Sequence, residues 1–189
     1  MALYPTVITT LGVFAIAVFA GGLALLAGMA VPGSRKRLAA AFQGQERHPI
    51  LWACLLASIA TASSLYLSEV VGFAPCTLCW YQRFAMYPLV LVLAIGSAIG
   101  DSRVWRFGLP LSVVGLAISI YHVFIQWQPA LDVVACTSDA PCTGRYVAVF
   151  GFISIPTMAG SVFLSITGLL LTVQAAGRVT PKGAAREDG

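Results

Sequence analysis

Residues 75–100 read Pro-Cys-Thr-Leu-Cys-Trp-Tyr-Gln-Arg-Phe-Ala-Met-Tyr-Pro-Leu-Val-Leu-Val-Leu-Ala-Ile-Gly-Ser-Ala-Ile-Gly. A cysteine pair at C-x-x-C spacing leads, past one arginine, into residues 84–100, which carry no charge. A run of that length is near the roughly 17–25 residues that a membrane-spanning helix needs. Working outward, residues 1–34, 48–68, 107–131 and 146–177 are also uncharged, so the chain reads as five spanning helices with over half its length in lipid. The composition agrees. Of 189 residues, 59% are hydrophobic and 10% charged, whereas a soluble domain carries about 25% charged residues. A soluble enzyme with a large aqueous core is excluded. The net charge of +4 does not point to nucleic acid, because the basic residues flank the apolar runs instead of forming one stripe.

Those basic residues set an orientation. Arg35, Lys36, Arg37 and Arg47 lie between the first two runs, Arg103 and Arg106 between the third and fourth, and Arg178, Lys182 and Arg186 after the fifth. All nine share one face if five helices are threaded in order; only Arg83 and Arg145 fall on the other. The positive-inside bias makes the nine-residue side cytoplasmic and puts the N-terminus outside. The first run has no positive n-region and reads as a retained helix, not a cleaved signal. Helices are expected over about residues 6–31, Ile50–Leu67, Cys76 or Thr77 to Gly100, Leu109–Trp127, and from about 147 to Ala175. Gly21, Gly22 and Gly28 in the first could allow close approach of another helix.

This threading puts Cys76 and Cys79, between helices two and three, on the outer face with Cys136 and Cys142, between helices four and five. Disulfides persist outside the cytosol, so two close pairs there can be oxidised or cycle. Cys54, within helix two, reads as a small buried hydrophobe. The C-x-x-C itself admits a redox dithiol, half a zinc site or a static disulfide. Zinc would need both pairs to converge permanently, and no His lies in either loop, so no metal is expected.

The redox reading gains from the residues that follow. With a helix starting near Cys76 or Thr77, Cys79 and Arg83 stand at i and i+4 on one face. A Cys79 thiolate would then see a helix N-terminus and a guanidinium, both of which favour ionisation. Trp80 and Tyr81 read either as an interfacial aromatic belt or as a ligand pocket. Thiol oxidation must send two electrons somewhere, and the chain has no nucleotide fingerprint, haem motif or flavin site. A lipid-soluble quinone fills that gap. His122, near the outer end of helix four, reads either as structural or as a proton relay at the quinone. The short Cys136–Cys142 loop, with Pro141 and Gly144 around it, reads as a staple or as a labile disulfide open to an incoming thiolate.

Pro75-Cys-Thr-Leu-Cys-Trp-Tyr-Gln-Arg83, Met86-Tyr-Pro-Leu-Val-Leu91, Gly100-Asp-Ser-Arg103, Ile118-Ser-Ile-Tyr-His122, Cys136 to Cys142, and Phe150-Gly-Phe-Ile-Ser-Ile-Pro156 together resemble the DsbB/BdbC disulfide bond formation proteins, and the BdbC branch of Gram-positive bacteria most of all. The resemblance implies an all-α four-helix membrane bundle over residues 49–175. Residues 1–48 add an extra helix and a basic cytoplasmic link, and 176–189 form a polar cytoplasmic tail. It further implies that Cys136 and Cys142 exchange with the dithiol of an extracytoplasmic DsbA-like thioredoxin-fold protein. Electrons would pass to Cys76–Cys79, and from Cys79 to a quinone of the membrane pool held by Arg83. Menaquinone is favoured by the Gram-positive likeness, with ubiquinone the other candidate. The expected protein is a multi-pass thiol:quinone oxidoreductase of the cell membrane with its redox loops outside. The rivals are a vitamin K epoxide reductase-like enzyme, whose loop pair usually precedes its C-x-x-C, and a non-catalytic scaffold braced by two disulfides.

Overall fold

The computed structural model describes residues 3–134, 136 and 140–179. Six α-helices build it: α1 Leu3–Ala30, α2 Pro32–Ala41, α3 Arg47–Leu65, α4 Thr77–Ile99, α5 Trp105–Trp127 and α6 Ile155–Val179. Among the described residues there is no strand, only one antiparallel bridge between Val149 and Ile153. Five stretches are long and apolar enough to cross a membrane: Pro5–Ala30, Arg47–Val70, Thr77–Ile99, Ser102–Trp127 and Ile155–Arg178. The expected all-α class and the five spans are therefore present. Residues 180–189 of the expected tail lie outside the described residues.

Local chemistry explains where the elements begin and end. The basic link contains α2, which opens on Pro32 at its first turn, where a fixed φ and a missing N–H cost nothing. Arg47 starts α3 three residues ahead of the expected Ile50, and its Nε donates to the carbonyl of Ser97 near the end of α4 at 3.0 Å. The same helix runs past Leu65 as a π turn, Tyr66–Val70, before Gly72 turns the chain at φ +85°. Cys76, in extended conformation after Pro75, is the N-cap of α4. Gly100 ends α4 in the left-handed region, and the Asp101 carboxylate accepts from Arg103 N at 2.8 Å to start the turn into α5.

The last helix is the axis of the bundle. In α6, 61% of the apolar window is buried, against 17% in α1, and α6 packs on α1, α2, α3 and α5. Phe163, Ile166, Leu170 and Val173 meet Leu89 and Leu93 of α4 and Ala53 and Ala57 of α3 in one core, with the half-buried Cys54 packed beside it. Gly115 of α5 lets the Phe163 ring lie directly on its backbone. On the other side Gly22 of α1 backs on Ser165, where an added Cβ would stand 2.6 Å from Oγ. Ser165 Oγ donates to the Val18 carbonyl at 2.6 Å, an interhelical bond of the kind that fixes helices in lipid. Of the other two glycines, Gly28 backs on Leu38 of α2 and Gly21 meets open space.

Candidate functional site

All four loop cysteines converge at one end of the bundle, referred to below as the cysteine end. Cys76, Leu78, Ile125, Ala140 and Cys142 form a buried cluster, with Cys79, Cys136, Ile118, Tyr121 and Val134 packed against it. Cys136 and Cys142 are disulfide-bonded, with Cα atoms 5.9 Å apart, and Cys142 is wholly buried. Cys76 and Cys79 are free thiols whose sulfurs share a hydrogen bond at 2.9 Å. Two α5 side chains hold the loop down. Gln126 Nε2 donates to the Gly144 carbonyl at 3.2 Å, and Tyr121 Oη donates to the Leu131 carbonyl and accepts from Val133 N, both at 3.1 Å.

The sulfur at the helix start is that of Cys76, because the N-cap and not the third helical residue faces the open N–H groups. Cys76 Sγ accepts from Cys79 N at 3.4 Å. The Cys79 thiol donating to it, and then His122, hold the Cys76 thiol well below the ordinary range, to about 4, although burial opposes them. His122, only 2% exposed, places Nε2 3.7 Å from Cys76 Sγ and 3.1 Å from the Cys142 carbonyl. A carbonyl only accepts, so Nε2 carries the hydrogen. One ring thus touches both cysteine pairs.

Two voids meet at this end. The smaller, about 20 Å³, is a crevice bordered by Cys76, Cys79, His122, Gln126, Pro141 and Gly144. The larger, about 130 Å³, is an apolar cavity between α1, α3, α4 and α6. Its volume is close to the roughly 150 Å³ that accommodates a benzene ring in an apolar protein interior. Cys79 and Arg83 line it from α4, Ser64 and Ser68 from α3 and its π turn, and Leu11, Phe14 and Ala15 from α1. Cys79 borders both voids, whereas Cys76 borders the crevice alone.

Arg83 is held in place by α3. Its Nε donates to Ser64 Oγ at 3.0 Å, and Nη2 donates to the Ser64 carbonyl and to Ser68 Oγ, both at 2.9 Å. Ser68 passes its own hydrogen to Glu69 at 3.0 Å. No carboxylate touches the guanidinium in this set, so its charge stays available at the cavity wall. The π turn places Ser68 here, and π-bulges recur at functional sites.

Three residues expected at a quinone do not line this cavity. Trp80 and Tyr81, 46% and 47% exposed, do not line the cavity, since 100° per residue turns them off the Cys79–Arg83 face. Trp80 instead lies under the Arg83 guanidinium at 5.3 Å and against Phe84. His122 borders the crevice and not the cavity, drawn there by the Cys142 carbonyl. It also completes a set with Cys76 and Cys79 whose ligand atoms lie within 4.8 Å of one another. A closed zinc site wants a fourth ligand, and Cys136 and Cys142 are committed to their disulfide. Sequence reasoning passed over Thr61, Ser64, Ser68, Gln82 and Tyr87. The available signal was hydroxyl and amide side chains at helical spacing inside apolar spans.

Residues 46–174 match the family of the disulfide bond formation protein DsbB. The chain belongs to that family. Among curated relatives of this DsbB-family protein, the "Disulfide bond formation protein C" of Bacillus subtilis is 47% identical over 113 residues, 59% of this chain and 82% of the relative. A "Probable disulfide formation protein C" of Bacillus cereus is 43% identical over 123 residues, 65% and 88% of the two chains. A "Probable disulfide formation protein" of Oceanobacillus iheyensis is 44% identical over 126 residues, 66% and 86%. No solved structure matches. The protein is thus a multi-pass membrane protein of disulfide bond formation, and α1 and α2 lie outside the matched residues.

Proposed function

We propose that this chain is a thiol:quinone oxidoreductase that reoxidises a thioredoxin-fold disulfide donor outside the cytoplasm and passes the electrons to a membrane quinone. The observation that supports it best is the position of Cys79 on the wall shared by the crevice and the ring-sized cavity, with Cys76 on the crevice side only. The partner's dithiol exchanges with Cys136–Cys142, leaving the partner oxidised and both loop cysteines as thiols. Those thiols in turn reduce the oxidised Cys76–Cys79 pair and re-form the loop disulfide. Cys76 is the natural leaving sulfur at that step, because its thiolate is stabilised by Cys79 and His122 and a low-pKa thiolate leaves faster. Reoxidation of the Cys76 thiolate and the Cys79 thiol gives up two electrons and one proton to the cavity, and the second proton of the quinol is drawn from solvent.

The cavity fits a quinone head group by size, by its apolar wall and by the Arg83 charge beside Cys79. When bound there, a quinone supplies a two-electron acceptor that leaves through the bilayer as the quinol. Menaquinone is the first choice on the Gram-positive likeness and ubiquinone the second. Arg83 orients the ring, and Trp80 stiffens Arg83. The test mixes purified protein with menadione and a reduced thioredoxin-fold partner and follows quinone absorbance. Steady reduction that vanishes in Cys79→Ser is expected. No reduction by wild-type protein with its loop disulfide intact would overturn the proposal and favour a disulfide-braced scaffold.

A further inference from the structure

The cavity has a second polar end that the chemistry at Cys79 does not use. Among the described residues two buried hydroxyls, Thr61 Oγ1 and Tyr87 Oη, find no hydrogen-bond partner, and both residues line the cavity. A buried hydroxyl left without a partner destabilises the fold. One such atom is an exception; two on residues that line one void point to a missing acceptor.

Their register places them together. Helices α3 and α4 run antiparallel, and Arg83 bonds Ser64 and Ser68 across them. One turn further from the cysteine end, α4 presents Tyr87, at i+4 from Arg83, and α3 presents Thr61, at i−3 from Ser64. Four residues rise about 6 Å along the axis, close to the span of a six-membered ring with an oxygen at each end. Apolar side chains, including Met86, Val162 and Phe163, also line the cavity.

We propose that the hydroxyls of Thr61 and Tyr87 form the inner hydrogen-bonding end of the cavity and hold the second carbonyl oxygen of a para-quinone whose first carbonyl faces Cys79 and Arg83. This rests on the quinone reading given above and adds the residues that grip the distal end of the ring. Both hydroxyls donate, and a quinone oxygen only accepts. The inner pair therefore selects a ring with opposed acceptors over an alkyl chain or a lipid tail.

The experiment titrates menadione into the purified full chain and reads binding by quenching of tryptophan fluorescence. Tyr87→Phe and Thr61→Val each remove a donor with little change in shape, and each should raise the menadione Kd about 2–10-fold, the loss of one hydrogen bond. Thr61→Ser should bind like wild type. In steady state the KM for menadione should rise in both variants, while single-turnover exchange between Cys136–Cys142 and a reduced partner keeps its rate. The proposal is overturned if wild-type protein binds menadione and Arg83→Ala weakens it, yet Tyr87→Phe and Thr61→Val bind normally; water would then satisfy the two hydroxyls. If wild-type protein neither binds nor reduces menadione, the quinone reading itself fails. Should Thr61→Val misfold, Tyr87→Phe, which deletes one atom, decides alone.

Discussion

At the scale of single residues, the consequence easiest to measure is the ionisation of Cys76. A thiol held near 4 is almost wholly thiolate above pH 5, and the thiolate alone is alkylated. Alkylation of the Cys76 peptide by iodoacetamide should therefore stay nearly flat from pH 8 down to pH 5 and fall only as the pH passes through about 4. An ordinary thiol, with pKa about 8.5, loses reactivity about tenfold per pH unit over the same range. A Cys76 profile that rises like an ordinary thiol's would refute the assignment. Cys79→Ala, which removes the leading stabiliser, should move the profile to higher pH, and His122→Ala should move it less. Arg83 carries a different prediction. Since it lines the cavity but not the crevice, Arg83→Ala should raise the KM for menadione well above any change in the KM for the protein partner. Equal changes would remove Arg83 from the quinone site.

At the scale of elements, α1 deserves more weight than an added anchor receives. It lies outside the residues that match the family, yet Leu11, Phe14 and Ala15 form one wall of the cavity, and Gly22 and Val18 seat it on Ser165 of α6. Gly22→Leu puts a side chain where Ser165 already stands; overpacking of this kind costs about 1–3 kcal/mol and should loosen α1. The expected result is a lower Tm and weaker menadione binding, with disulfide exchange at the crevice unchanged because no α1 residue borders it. Unaltered binding in a protein whose Tm has dropped would show that α1 is no part of the wall. The π turn supports the same cavity from the opposite side. Ser68→Ala removes one of the hydroxyls that fix Arg83, and its menadione KM should rise less than that of Arg83→Ala, which loses the charge as well.

At the scale of the whole molecule, the five spans and their common register were readable, because an uncharged run of helical length has few alternatives in a chain this poor in charge. The convergence of the two cysteine pairs at one end followed from counting crossings, and the start of α4 at Thr77 followed from Pro75. What the sequence left open depends on rotation about helix axes. Helix α1 is apolar all round, and such a helix announces no buried face, so its place on the cavity wall was invisible. The sulfur at the helix N-terminus turned on a one-residue difference between Cys76 as N-cap and Cys76 as first turn. His122 was legible as a polar residue at the correct depth, but its direction was set by the Cys142 carbonyl, twenty residues away. Sidedness has its own check. A membrane-impermeant maleimide should label reduced Cys136 from outside the cell; labelling only after permeabilisation would reverse the threading.

On the proposed function, the wall at Cys79 would also separate two half-cells. On one side is the crevice beside the disulfide loop; on the other is a ring-sized volume whose lining, among the described residues, includes neither Cys136 nor Cys142. A quinone seated there would not border Cys136 or Cys142 directly. Cutting the connection at Cys76 should accordingly leave only the loop half working, and only once: Cys76→Ser protein should oxidise one equivalent of partner dithiol and then stop, with its quinone untouched.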